Sequence, residues 1–180
     1  MFPRKNKFWD YVASKADLGD GLILEFGVFR GRSINYLAKI FKKEQLFGFD
    51  SFEGLAEDWA GSSLPKGAFD VKGALPDVPS NVSLIKGWFD QTLPGFLEDH
   101  SGEIIKYCHL DCDTYESAHY VLSSLVDRFQ TGTVIVFDEY IGYPNWREGE
   151  YKAWQSICSE HKISYEYIGF SNMQAAVVIK

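Results

Sequence analysis

Five short apolar runs, separated by stretches of helical period, most constrain what this chain can fold into. They lie at 22–24, 46–49, 82–85, 104–110 and 133–137. Continuous apolar runs of this length are strands buried on both faces. Between them, residues 33–43 put Ile34, Leu37, Ala38 and Phe41 on one helical side, and residues 115–129 do the same with Ala118, Val121, Leu122, Leu125 and Val126. Ahead of the first run, Phe8, Trp9, Val12 and Ala16 align in the same way, and further helices are expected at 91–100 and 146–161. Strands alternating with helices predict a Rossmann-like, doubly wound, mostly parallel α/β sheet with helices on both faces. The runs 163–170 and 174–179, joined by Ser171-Asn172, predict a closing pair and an antiparallel edge strand at the C-terminus. No repeat or low-complexity linker divides the 180 residues, so a single domain over 1–180 is expected. The stretch 54–79 holds glycines at 54, 61, 67 and 73 and prolines at 65, 76 and 79, with few periodic positions. It reads as a lid loop, mobile without ligand.

Open α/β sheets bind ligands beyond the carboxyl ends of their strands, where strand order reverses. The first run ends in Glu25-Phe26-Gly27 and continues to Gly31 and Ser33, without the G-x-G-x-x-G of dinucleotide sites. The missing middle glycine disfavours a pyrophosphate. It leaves room for S-adenosylmethionine, whose carboxylate can use the free N–H groups of the next helix. Ser33 is a candidate cap for that helix, and Glu25 a candidate partner for the ligand ammonium. Asp50, 19 residues past Gly31 and followed by Ser51, is placed to accept ribose hydroxyls. Phe52, Trp88 and Phe89 are candidates to enclose adenine.

The fourth run ends in Asp111-Cys112-Asp113 and the fifth in Asp138-Glu139. Neighbouring strand ends would bring Asp111, Asp138 and Glu139 together, a costly crowd unless neutralised by a hard cation such as Mg2+. Asp113 would stand beside them as a further ligand or a base. The alternative is a metal-free set of capping aspartates. Tyr140, Tyr143, Trp146 and Tyr151 could floor an acceptor site or simply pack. His109 points away from Leu110 and reads as structural. Glu148 and Glu150 read as acidic residues favoured by a helix N-terminus.

A net charge of −7 without any Lys/Arg run disfavours nucleic acid and membrane surfaces as partners. Three cysteines, Cys108, Cys112 and Cys158, form no disulfide framework, and the start of the chain lacks the apolar core of a signal peptide. A cytoplasmic setting is expected, and a homo-oligomer is left open.

Taken together, the stretches 24–31, 48–55, 87–94, 110–117 and 136–140 resemble the metal-dependent branch of the class I S-adenosylmethionine methyltransferases, and more closely the macrocin O-methyltransferase-like family. The resemblance implies methyl transfer to a hydroxyl of a small acceptor, a sugar or sugar-bearing natural product. It implies Asp111, Asp138 and Glu139 as metal ligands, and Asp113 as the group near the acceptor hydroxyl. Glu139 stands where relatives commonly carry aspartate or asparagine. Two competing readings are an NAD-dependent oxidoreductase on a similar sheet, disfavoured by the glycine turn, and a non-catalytic S-adenosylmethionine-binding module, disfavoured by the acidic cluster.

Overall fold

The computed structural model describes all 180 residues. Each apolar run forms a strand: β1 (Leu22–Phe26), β2 (Leu46–Asp50), β3 (Val82–Lys86), β4 (Ile105–Leu110) and β5 (Val134–Phe137). The helices are α1 (Lys5–Ala13), α2 (Arg32–Ile40), α3 (Phe89–Asp99), α4 (Tyr115–Leu125) and α5 (Glu150–His161), and the chain closes with β6 (Tyr165–Ser171) and β7 (Gln174–Ile179). The seven strands make one sheet in the order β3-β2-β1-β4-β5-β7-β6. The first five are parallel, β7 runs antiparallel to β5, and β6 antiparallel to β7. The expected antiparallel edge strand of the closing pair is β6. Burial explains the order: β7, with Ala175, Ala176 and Val177 fully buried, suits an interior position, whereas Tyr167 of β6 is exposed.

Strand alternation sorts the core into two layers. Leu22, Leu24, Phe26, Ile135 and Phe137 pack with α4 and α5; Ile23, Tyr107, Val134 and Val136 pack with α1 and α2. The expected apolar stripe of α1 is buried, Phe8 and Val12 completely. One expected helix is split. Residues 146–148 form a 3-10 turn, and α5 starts only at Glu150, because Gly149 adopts a non-helical φ of −99° and ψ of −133°. No helix is long and apolar enough to cross a membrane.

Candidate active site

Strand order reverses between β1 and β4, and a cavity of about 890 Å³ opens there at the carboxyl ends of the parallel strands. That volume suits a nucleoside-sized ligand together with a second small molecule. Gly27 sets the floor. Its φ is +90°, and a Cβ there would lie 1.9 Å from the carbonyl oxygen of Asp111, so only glycine lets the ends of β1 and β4 approach so closely. Gly27, Asp50, Ser51, Trp88, Phe89 and Asp111 all line the cavity.

Asp50 holds this half of the site together. Its Oδ2 accepts the backbone N–H of Val28 at 2.8 Å and of Phe29 at 2.7 Å, and its Oδ1 accepts that of Phe52 at 2.6 Å. One side chain thus fixes the turns after β1 and β2, while Oδ1, with a single N–H bound, keeps a lone pair free for a ligand hydroxyl. Other expected contacts do not form. Phe52 takes a φ of +58° and turns into the core, 1% exposed, so it makes no adenine wall. Glu25 is buried below the floor: it accepts Ser33 Oγ at 2.8 Å and lies 3.1 Å from His109 Nδ1. Ser33 accordingly caps no helix, and the N-cap position of α2 is Gly31, itself outside the cavity lining. The physical reason is periodicity: Glu25 is registered beside His109 across β1 and β4, and both face the α1–α2 layer.

On the other side of the cavity Asp111, Asp113 and Glu139 converge, with one carboxylate oxygen of each within 4.8 Å of the others. Asp113 has a φ of +60°, and the N–H of Thr114 donates to the carbonyl of Cys112 at 2.6 Å, a tight turn centred on Asp113. Thr114 then caps α4 by accepting the N–H of Ser117. Glu139 is 5% exposed, and its Oε2 is buried with no hydrogen-bond partner. Burial and the neighbouring charges of Asp138 and Asp113 push Asp111 well above the usual carboxylate range; burial with Asp111 and Asp138 does the same for Glu139. Burial, Asp138 and Asp50 bring Asp113 to about 7. Acids that resist ionising, one with an orphaned buried oxygen, are the donor set a hard divalent cation satisfies.

Asp138, expected in this set, has other partners. Its Oδ2 receives Lys5 Nζ at 2.7 Å, its Oδ1 receives the Gln174 amide, and His109 Nε2 stands 3.5 Å away. Burial would push its carboxyl above the usual carboxylate range, but His109 and Lys5 outweigh that and hold it below the range, ionised. His109, wholly buried, would lose its proton by burial alone; Asp138 and Glu25 instead raise it to about 10. A line of alternating charge, Glu25–His109–Asp138–Lys5, thus runs beneath the cavity, which gives His109 the structural part expected of it.

The structure corrects the macrodipole reading of Glu150. It is fully buried, and its two oxygens accept the backbone N–H groups of Cys112 and Glu139, each at 3.1 Å. One carboxylate ties together the two loops that carry the acidic cluster. Burial raises it to about 8 in spite of those two bonds. The sequence held a signal for it, since Glu150 lies on the same helical stripe as Ala153, Trp154 and Ile157. Lys5 likewise continues the stripe of Phe8, Trp9 and Val12.

Residues 54–79 form no helix or strand but fold on their own bonds, Leu55 N to Ala68 O and Gly67 N to Leu55 O, both 2.9 Å. They place Leu55, Ala56, Trp59 and Phe69 in the cavity. Gly61 packs so closely on Pro144 that a Cβ would lie 1.9 Å from its carbonyl oxygen. Trp59 meets Tyr143 edge-on at 5.6 Å. Of the expected acceptor floor, Tyr140 is core, Trp146 packs on Tyr151, and Tyr143 packs on Trp59 of the 54–79 loop. The aromatic wall on that side is Trp59 instead.

Residues 24–140 match the methyltransferase domain family. A 4′-O-methyltransferase of Streptomyces olivaceus acting on 8-demethyl-8-(2,3-dimethoxy-α-L-rhamnosyl)-tetracenomycin C is 29% identical over 150 residues, covering 69% of this chain and 55% of that protein. The chain thus spans about half the length of that curated relative. Among solved structures, the calicheamicin methyltransferase CalS11, elsewhere described as a TDP-rhamnose 3′-O-methyltransferase, superposes with a TM-score of 0.81 at 23% identity, over 96% of this chain and 77% of that one. The O-methyltransferase NovP superposes at 0.72 with 19% identity, over 97% and 78%. The sheet order, the cavity at its switch point and the match over 24–140 agree: this chain belongs to the methyltransferase domain family.

Proposed function

We propose that the protein transfers the methyl group of S-adenosylmethionine to a hydroxyl oxygen of a sugar or sugar-bearing small molecule, with a divalent cation at the acidic cluster. The observation that carries this reading is the joining, within one cavity, of a nucleoside-suited wall (Asp50, Trp88, Phe89) and the converging carboxylates Asp111, Asp113 and Glu139. The rhamnosyl acceptors named for the tetracenomycin enzyme and for CalS11 support a sugar hydroxyl.

The remaining lone pair on Asp50 Oδ1 accepts a ribose hydroxyl, and Trp88 and Phe89 cover the adenine. The sulfonium methyl is then directed toward Asp111 and Asp113. An Mg2+ or similar ion on Asp111 and Glu139 would supply Lewis-acid stabilisation of the alkoxide character that develops on the acceptor oxygen. Asp113, brought near neutrality by its buried acidic surroundings, accepts the hydroxyl proton. A lone pair of that oxygen forms the C–O bond as the C–S bond breaks, its electrons staying on sulfur to leave neutral S-adenosylhomocysteine. The lid, carrying Trp59 and Phe69, excludes water from the transfer.

The test is twofold. Saturating S-adenosylhomocysteine should raise the melting temperature with or without EDTA. S-adenosylhomocysteine should also form from S-adenosylmethionine with a rhamnosylated acceptor, and EDTA should stop it. Folded protein with no thermal response to the ligand overturns the reading; full turnover in excess EDTA removes the cation from it.

A further inference from the structure

Four carboxylates, Asp111, Asp113, Asp138 and Glu139, crowd the ends of β4 and β5, and one lysine reaches them. Lys5 projects from the first turn of α1, lines the cavity and places Nζ 2.7 Å from Asp138 Oδ2. The site is built: the pair is only 32% and 7% exposed at its side chains, and Gln174 fixes the other Asp138 oxygen. The helix that delivers Lys5 is anchored independently. Phe8 is wholly buried, Phe2 N donates to Phe170 O at 2.8 Å, and Ser171 Oγ donates to Phe2 O at 3.0 Å. Glu139 Oε2, meanwhile, is buried with no hydrogen-bond partner.

We propose that Lys5 sets the affinity of this protein for its divalent cation by holding Asp138 out of the ligand set. With Lys5 in place, the ion is bound by Asp111 and Glu139, with Asp113 left beside it as the base, and a fixed positive charge opposes it. Without Lys5, Asp138 is released to the same cluster and the opposing charge is gone. An ammonium and a divalent ion a few ångströms apart repel strongly in a partly buried setting, so the two compete. The inference rests on the cation part of the proposed function and is independent of methyl transfer itself.

Mn2+ binding, measured by titration calorimetry without S-adenosylmethionine or acceptor, tests this. Lys5→Met should bind Mn2+ about tenfold or more tightly than the wild type. Lys5→Arg, which keeps the charge, should match the wild type. The double variant Lys5→Met/Asp138→Asn should lose most of the gain. Should Lys5→Met fail to fold by circular dichroism, Lys5→Gln takes its place. A lysine that merely anchors α1 would lower stability in Lys5→Met without tightening Mn2+ binding, and that result overturns the proposal. So does a double variant that keeps the full gain, since Asp138 would then play no part. Absence of Mn2+ binding in every variant, with S-adenosylhomocysteine still bound, overturns it too and leaves the methyltransferase reading standing.

Discussion

The two sides of the cavity use the same residue type in opposite ways. On the β1–β2 side, Asp50 accepts three backbone N–H groups, and Glu25 has both Ser33 and His109. On the β4–β5 side, Asp111, Asp113 and Glu139 face mostly one another, and all three are pushed upward by burial and by neighbouring acids. A carboxylate with donors shapes a loop at little cost, whereas one denied donors is left ready for a proton or a cation. The difference agrees with the proposed division, in which one side recognises the ligand and the other carries the chemistry.

The strongest way to break this comparison is Asp113→Asn. If Asp113 is the base, kcat should fall by roughly 10²- to 10⁴-fold while S-adenosylhomocysteine binding stays within a few-fold. A variant of near-normal turnover would strip the β4–β5 side of its assigned base.

Next comes the tie beneath the acidic side. Glu150→Ala leaves the buried N–H groups of Cys112 and Glu139 without acceptors, at a cost of about 2–4 kcal/mol in urea unfolding. It should also weaken Mn2+ binding, because both cluster loops lose their anchor. Destabilisation well below about 1 kcal/mol would show that water readily replaces Glu150.

Asp50→Ala probes the recognition side. It should reduce the stabilisation conferred by S-adenosylhomocysteine by about 1–3 kcal/mol and leave Mn2+ binding unchanged. An equal loss of both would mean that the two sides are not separable.

The gentlest effect is a slope with pH, at most about 1.4 kcal/mol per pH unit for each proton involved. Asp113 and Glu150 titrate in the folded protein near 7 and 8, above ordinary carboxylates, so the folded state binds more protons than the unfolded state between about pH 4.5 and 8. Stability of metal-free protein should therefore fall as pH rises through that window. His109, raised to about 10, adds a loss of the same sign above its ordinary value. Asp138 is depressed, so its contribution fades only in strong acid. Thermal melts from pH 5 to 8 should show the decline, and excess Mn2+ should flatten it. Rising stability across that range would contradict the raised acids.

Much of this was legible in the chain. Continuous apolar runs fixed the five parallel strands, because a strand covered on both faces admits little else. Gly27, Asp50, Asp111, Asp113 and Glu139 were all placed at the cavity by one rule, that strand ends at a topological switch point face the ligand. That rule says nothing of which way a side chain turns, so Glu25, Ser33 and Phe52 were counted toward the ligand when alternation and a left-handed backbone turn them into the protein. Only the tertiary structure could decide the partners of Asp138, since Lys5 reaches it across 133 residues and Gln174 across 36. Lys5 and Glu150 show where the line falls. Each stands on the apolar stripe of its helix, so the sequence marks it as buried. What it meets there depends on packing between segments distant in the chain, which no local periodicity encodes.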